Sequence, residues 1–194
     1  MNKKLIDALK KNPIIVSVRS EEETDRAIKS RAEVVFIIHT DMDHLVSQVK
    51  KIKNAGKMAF IHVDLVHGFS SSPIALEYIY KLTNPDGILT TKKALINKAK
   101  DLNLTSILRV FALDSPTIVS SAKLIKEVKP DIVEILPGIA PKAIKLIGEK
   151  VNVPIIAGGM IETKDEVISC IKNGAVGVSV SYTHLDVYKR QRFH

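Results

Sequence analysis

Short apolar runs alternate with amphipathic segments along almost the whole chain. The runs are IIVSVR (14–19), EVVFIIH (33–39), MAFIHVDLV (58–66), DGILTT (86–91), TSILRVFAL (105–113), DIVEILPG (131–138), VPIIAGGMI (153–161) and AVGVSVS (175–181). Each has the length and composition of a strand buried on both faces. Between them lie segments of helical spacing, among them DHLVSQVKKIKNAG, SPIALEYIYKL and SPTIVSSAKLIKEV. Asp43, Ser72 and Thr163 are the expected N-caps, and Gly56 and Gly174 stand where helix ends call for positive φ. Prolines fall between elements, and nothing marks an internal linker. Eight strands alternating with helices predict a parallel sheet covered by helices. Eight such units in 194 residues favour an α/β architecture of the (β/α)8 TIM-barrel type, spanning residues 1–181 as one domain. An open Rossmann-like sheet is second, because no G-x-G-x-x-G turn follows the first run.

From Ser181 the pattern changes. SYTHLDVYKRQRFH offers no apolar helical face, so residues 182–194 are read as an atypical tail, foreign to the native sequence, with the eighth helix absent or replaced by it. The chain carries a formal charge of +8, and +6 without that tail, whose Lys189, Arg190 and Arg192 stand against Asp186. A surplus of this sign suits an anionic partner, a phosphorylated ligand or a nucleic acid, although most lysines fall on helical faces. Lys50, Lys51 and Lys53, or Lys92 and Lys93, are candidate basic faces, each equally readable as a solvated helix side. The apolar runs are too short for a membrane span, and the N-terminus lacks the apolar stretch of a secretory signal. With one cysteine, Cys170, on a helical core position, the chain is expected in a reducing cytoplasm.

Candidate chemistry comes from strand phase. If Ile61, Val63 and Leu65 face the helices, His62 and Asp64 point into the barrel, with Asp64 nearer its C-terminal mouth. The same phase sends Glu134, Arg109, Ser17 and Arg19 inward. A barrel core normally fills with Val, Ile and Leu, so charges there must pair with one another or bind something. Gly158 and Gly159 after the seventh run, with Ser179 and Ser181 on the eighth, fall where such barrels cradle phosphate through backbone N–H groups and hydroxyls.

With HVDLVHG, ILTTKKALI, RVFALDS, EILPGIAP and AGGMI in these positions, residues 13–181 resemble the glycerol uptake operon antiterminator family. That resemblance implies a TIM-barrel regulator without catalytic activity, whose effector is glycerol 3-phosphate and which needs no cofactor or metal. It implies action on the leader mRNA of glycerol-utilisation genes; a homodimer is an allowed state. Carried over by position, Gly158, Gly159, Ser179 and Ser181 hold the phosphate, and Asp64, Arg109 and Glu134 meet the glycerol end or order the pocket floor, with Arg19 and His62 in the same ligand set. Tyr182 onward departs from the family pattern. Two other classes remain open at this point. An epimerase-like or phosphodiesterase-like enzyme would use His62 and Asp64, with His39, as metal ligands and Glu134 as base. A scaffold barrel would pair its interior charges and bind nothing.

Overall fold

The computed structural model describes residues 3–181. The chain runs α1 (Lys3–Lys11), β1 (Ile14–Val18), α2 (Glu21–Ala27), β2 (Val34–Ile37), β3 (Thr40–Asp41), α3 (Met42–Asn54), β4 (Met58–His62), a 3-10 turn (Val63–Leu65), β5 (Val66–His67) and α4 (Pro73–Thr83). It continues through β6 (Gly87–Thr90), α5 (Lys93–Asp101), β7 (Thr105–Phe111), α6 (Ser115–Val128), β8 (Ile132–Leu136), α7 (Pro141–Gly148), β9 (Ile155–Gly158), α8 (Lys164–Lys172) and β10 (Ala175–Ser181). Eight parallel strands close into a barrel in the order β1-β10-β9-β8-β7-β6-β4-β2, as the alternation of strands and helices predicts. The stretch after β10, where the sequence predicts the eighth helix absent or replaced by the tail, lies outside the described residues.

The period of two in each strand divides the apolar residues into two cores. One set, including Val16, Val35, Ile61, Leu108, Val133 and Val178, packs outward against the helices. The other, with Ile15, Phe36, Phe60, Leu89, Ile107 and Ile156, fills the barrel, where the rings of Phe36 and Phe60 meet edge to face at 5.6 Å. Leu5 and Leu9 of α1 belong to this interior set, so α1 plugs the N-terminal end of the barrel. Nearly every exposed position of α1 is polar, which leaves its apolar stripe no other surface to bury against.

Two of the three expected helix caps stand and the third is shifted. Ser72 and Thr163 cap α4 and α8, the latter in a reciprocal capping box with Glu166. For α3 the cap is Asp41, which accepts from His44 N at 2.9 Å; Asp43, the expected cap, sits in the first turn, where a carboxylate favours the helix dipole. Gly56 and Gly174 have φ of +74° and +103°. Cys170 is buried, as its place in EVISCIK predicts, and burial pushes its thiol up to about 11. No helix among the described residues is long and apolar enough to cross a membrane.

Candidate functional site at the barrel mouth

Above the apolar filling, the barrel interior turns polar toward the C-terminal ends of its strands. Arg109 on β7 and Glu134 on β8 are register partners, and Arg109 Nε donates to Glu134 Oε2 at 2.7 Å. Glu134 is fully buried and Arg109 partly so, with 1% and 12% side-chain exposure. The pair therefore compensates charge inside the barrel, and only Nε of the guanidinium is engaged among the described residues. Next in the sheet, Gly158 on β9 leaves room for the other carboxylate oxygen. A Cβ there would stand 2.6 Å from Glu134 Oε1, a distance no real contact shows. Gly158 thus has a reason in the barrel's own packing besides the phosphate role expected of it.

On the far side of Gly158, its register partner Ser179 meets Ser17 of β1 with their hydroxyl oxygens 2.8 Å apart, both residues buried. Ser181, opposite Ser17 in the β1–β10 register, is half-buried at the rim. Gly159 turns the chain out of β9 with φ +82°, and Met160 follows at φ +60°, an unusual value for a residue with a side chain. This left-handed corner is tied to the β8 loop, because Gly138 N donates to the carbonyls of Gly158 (2.6 Å) and Gly159 (3.0 Å). The four expected phosphate residues and Ser17 therefore come together on neighbouring strands β9, β10 and β1.

Strand phase places Asp64 inside the barrel, but the chain leaves β4 at His62 and enters a 3-10 turn. Asp64 lies on that turn with both oxygens occupied by the end of β6: Thr90 Oγ1 donates at 2.7 Å, Thr91 N at 2.7 Å and Thr91 Oγ1 at 2.8 Å. It is a brace between β4 and β6 that borders the mouth. Arg19 stands exposed at the rim after β1, its backbone N–H held by Glu23 Oε2 at 2.7 Å.

His62 is the group that this packing leaves unprovided for. It is 4% exposed, and among the described residues neither ring nitrogen has a hydrogen-bond partner. Asp64 Oδ2 is 3.8 Å from Nε2, too far for a hydrogen bond, and the Ile38 carbonyl bears on the ring without meeting that geometry. Burial first, and then the Arg109 guanidinium, press its pKa down to about 4, against the pull of Asp64, so the ring is neutral at pH 7. A neutral imidazole offers one donor and one acceptor, the pair that a ligand hydroxyl satisfies.

Two features were beyond the reach of strand periodicity. The short strands β3 and β5 pair with each other beside the mouth, and His39 and His67 meet across them with Nε2 atoms 2.8 Å apart. His39 is thus engaged with His67 rather than with His62 and Asp64. Among the described residues no group of three His, Cys, Asp or Glu side chains is placed to hold a metal ion.

The sequence pattern of the family described as glycerol-3-phosphate responsive antiterminator matches residues 14–185. The Escherichia coli (strain K12) protein YgcP is 34% identical over 179 residues, covering 92% of this chain and 94% of YgcP. The crystal structure of the glycerol uptake operon antiterminator regulatory protein of Listeria monocytogenes is similar with a TM-score of 0.84 and 31% identity, over 88% of this chain and 92% of that one. A glycerol uptake operon antiterminator-related protein of Thermotoga maritima gives 0.78 and 28%, over 89% and 97%.

Proposed function

The chain belongs to the glycerol-3-phosphate responsive antiterminator family, and from that premise we propose that it is a glycerol 3-phosphate sensor which, when loaded, acts on leader mRNA to prevent early termination. The observation that carries the ligand half of this reading is His62, a buried imidazole with two unpartnered nitrogens in an otherwise compensated polar mouth. A buried polar group left without a partner costs about 1–3 kcal/mol, a cost that a ligand hydroxyl relieves on binding. In this reading the glycerol end meets His62 and the carboxylate-lined wall formed by Asp64 and Glu134. The phosphate takes the β9–β10 side, where the Gly159 corner and the hydroxyls of Ser179, Ser181 and Ser17 supply neutral donors. The unengaged guanidinium nitrogens of Arg109, with Arg19 at the rim, supply positive charge. The site binds and releases its ligand without chemistry; what the ligand changes is the population of the RNA-active form, by its differential affinity for that form.

Transcription in vitro through a leader that carries an intrinsic terminator upstream of a glycerol-utilisation gene from the same genome tests the reading. Read-through should rise when protein and glycerol 3-phosphate are both present, and stay at the basal level with either alone. Equal read-through with glycerol in place of the phosphate ester would contradict it.

A further inference from the structure

The RNA partner in this reading has no surface assigned to it, and the charge distribution supplies one. We infer that RNA is bound by the N-terminal end of the barrel, the face opposite the ligand mouth, through a basic patch formed by α1 and the turns that enter β2 and β4. The inference rests on the proposed RNA-directed function and adds where the contact is made.

Cations on the flanks of the barrel are largely spoken for. Lys51 lies 3.0 Å from Asp25 and 3.6 Å from Glu21, and Lys81 and Lys98 both reach Glu77 at 3.0 and 2.7 Å. Lys93 pairs with Glu127, and Arg26 with Glu22. The basic faces legible in the sequence around Lys51 and Lys93 are thus partly neutralised by their own neighbours. At the N-terminal end the picture differs. Helix α1 carries Lys3, Lys4, Lys10 and Lys11 and one carboxylate of its own, Asp7, while Lys4 also lies 3.7 Å from Asp86 just before β6. Lys29 and Arg31 stand exposed in the turn before β2, and among the described residues no carboxylate lies within 4 Å of either, or of Lys10 and Lys11.

These cations form one surface because the segments that carry them are tied together. Asn12, at the end of α1, donates its side-chain N–H to the Arg31 carbonyl at 3.1 Å. Lys57, in the turn before β4, donates to the Ser30 carbonyl at 2.8 Å and also to that of Ala32. Lys53 is held by the Asn84 carbonyl. Lys53 and Lys57 therefore fasten the turns while keeping their positive charge, since a carbonyl oxygen orients an ammonium without neutralising it. The whole sector sets eight cations against Asp7, Glu33 and Asp86. The mouth has the opposite balance: Arg19, Lys92, Lys93, Lys142 and Lys164 are outnumbered by Glu21, Glu22, Glu23, Asp41, Asp43, Asp165 and Glu166.

Cations in a helix's last turn favour its dipole, which accounts for one or two at each helix end. It does not account for Lys29, Arg31 and Lys57, which lie in turns, nor for four lysines on one short helix laid across the barrel end. A polyanion with regularly spaced phosphates fits such a patch. A small anionic ligand in the mouth and an RNA on this face would not compete for the same groups, so both can be bound together.

The test uses the full chain and a fluorescein-labelled hairpin RNA with a single-stranded tail, measured by anisotropy across a salt series with glycerol 3-phosphate present. The variant Lys10→Ala/Lys11→Ala/Arg31→Ala removes three exposed side chains. Lys92→Ala/Lys142→Ala on the mouth side is its control, and calorimetric titration of glycerol 3-phosphate with circular dichroism checks that each protein is folded. The triple variant should bind RNA at least about tenfold more weakly, with the log K against log salt slope smaller by roughly 2, the loss of about three phosphate contacts. The control should match wild type. A triple variant that binds RNA as wild type does, while the control loses binding, would overturn the placement and keep the RNA-directed function. No RNA binding by wild type, with ligand binding intact, would overturn both. Binding to phosphatidylglycerol vesicles in place of RNA would assign the patch to membranes and overturn it equally.

Discussion

Replacing His62 by leucine should make the protein more stable and insensitive to its ligand. His62 lies 4% exposed with neither ring nitrogen hydrogen-bonded among the described residues, so without a ligand it contributes a desolvation cost and no compensating bond. That cost is about 1–3 kcal/mol for a neutral polar group, and leucine has a similar volume and adds apolar contact with the interior below it. For a chain of this length each kcal/mol is roughly 2–4 °C in Tm. The pH dependence carries an independent signature. The folded ring titrates at about 4 and an unperturbed histidine at 6.5. Between those values the unfolded state binds more protons than the folded one, so stability rises with pH across the window and is fully present above 6.5. On acidification the wild type loses up to about 3 kcal/mol from this group, at 1.36 kcal/mol per pH unit, and His62→Leu loses none of it. Urea denaturation of both proteins at pH 4.5, 5.5 and 7.5 reads the difference directly, with neighbouring carboxylates cancelling between them. Calorimetric titration of glycerol 3-phosphate into the variant should show no heat of binding. A variant less stable than wild type at pH 7.5, with a difference between the two that does not change with pH, would refute the reasoning that His62 is held unpartnered for a ligand.

Gly158→Ala would drive a methyl into Glu134 Oε1, so the Arg109–Glu134 pair must give way. Urea denaturation should show a loss of about 3–5 kcal/mol, the range for breaking a buried pair, and ligand affinity should fall with it. Leu9→Ala removes the plug of the barrel's N-terminal end and should destabilise by about 2–5 kcal/mol while leaving glycerol 3-phosphate affinity near wild type. Cys170, buried with its thiol raised to about 11, should resist a thiol reagent at pH 8 in the native protein and react promptly once urea is added.

Element order was legible in the sequence because parallel strands buried on both faces read as continuous apolar runs, and Ser72, Thr163, Gly56 and Gly174 marked helix starts and stops between them. The inward direction of His62, Arg109 and Glu134 was legible for the same reason, since period two fixes the face once one residue is placed. What the sequence did not reveal depended on contacts between distant segments. Asp64 continues the alternation of β4 on paper, yet Thr90 and Thr91, 26 and 27 residues later, capture its carboxylate on a turn. Gly158 looked like a phosphate glycine, and its space is also claimed by Glu134 from the adjacent strand. The His39–His67 contact and the role of α1 as a plug arise the same way: each needs a partner that no local window contains. The basic end of the barrel is not legible in the sequence, because its cations are scattered over three segments that only folding brings together.

The most direct test of the central claim is calorimetric titration of sn-glycerol 3-phosphate into the full chain at pH 7.5, with glycerol and inorganic phosphate as separate titrants. The account predicts stoichiometric binding of the ester at least about a hundredfold tighter than either fragment, because the His62 end and the β9–β10 end must be filled together. Equal affinity for inorganic phosphate, or no binding of the ester by protein shown to be folded, would contradict it.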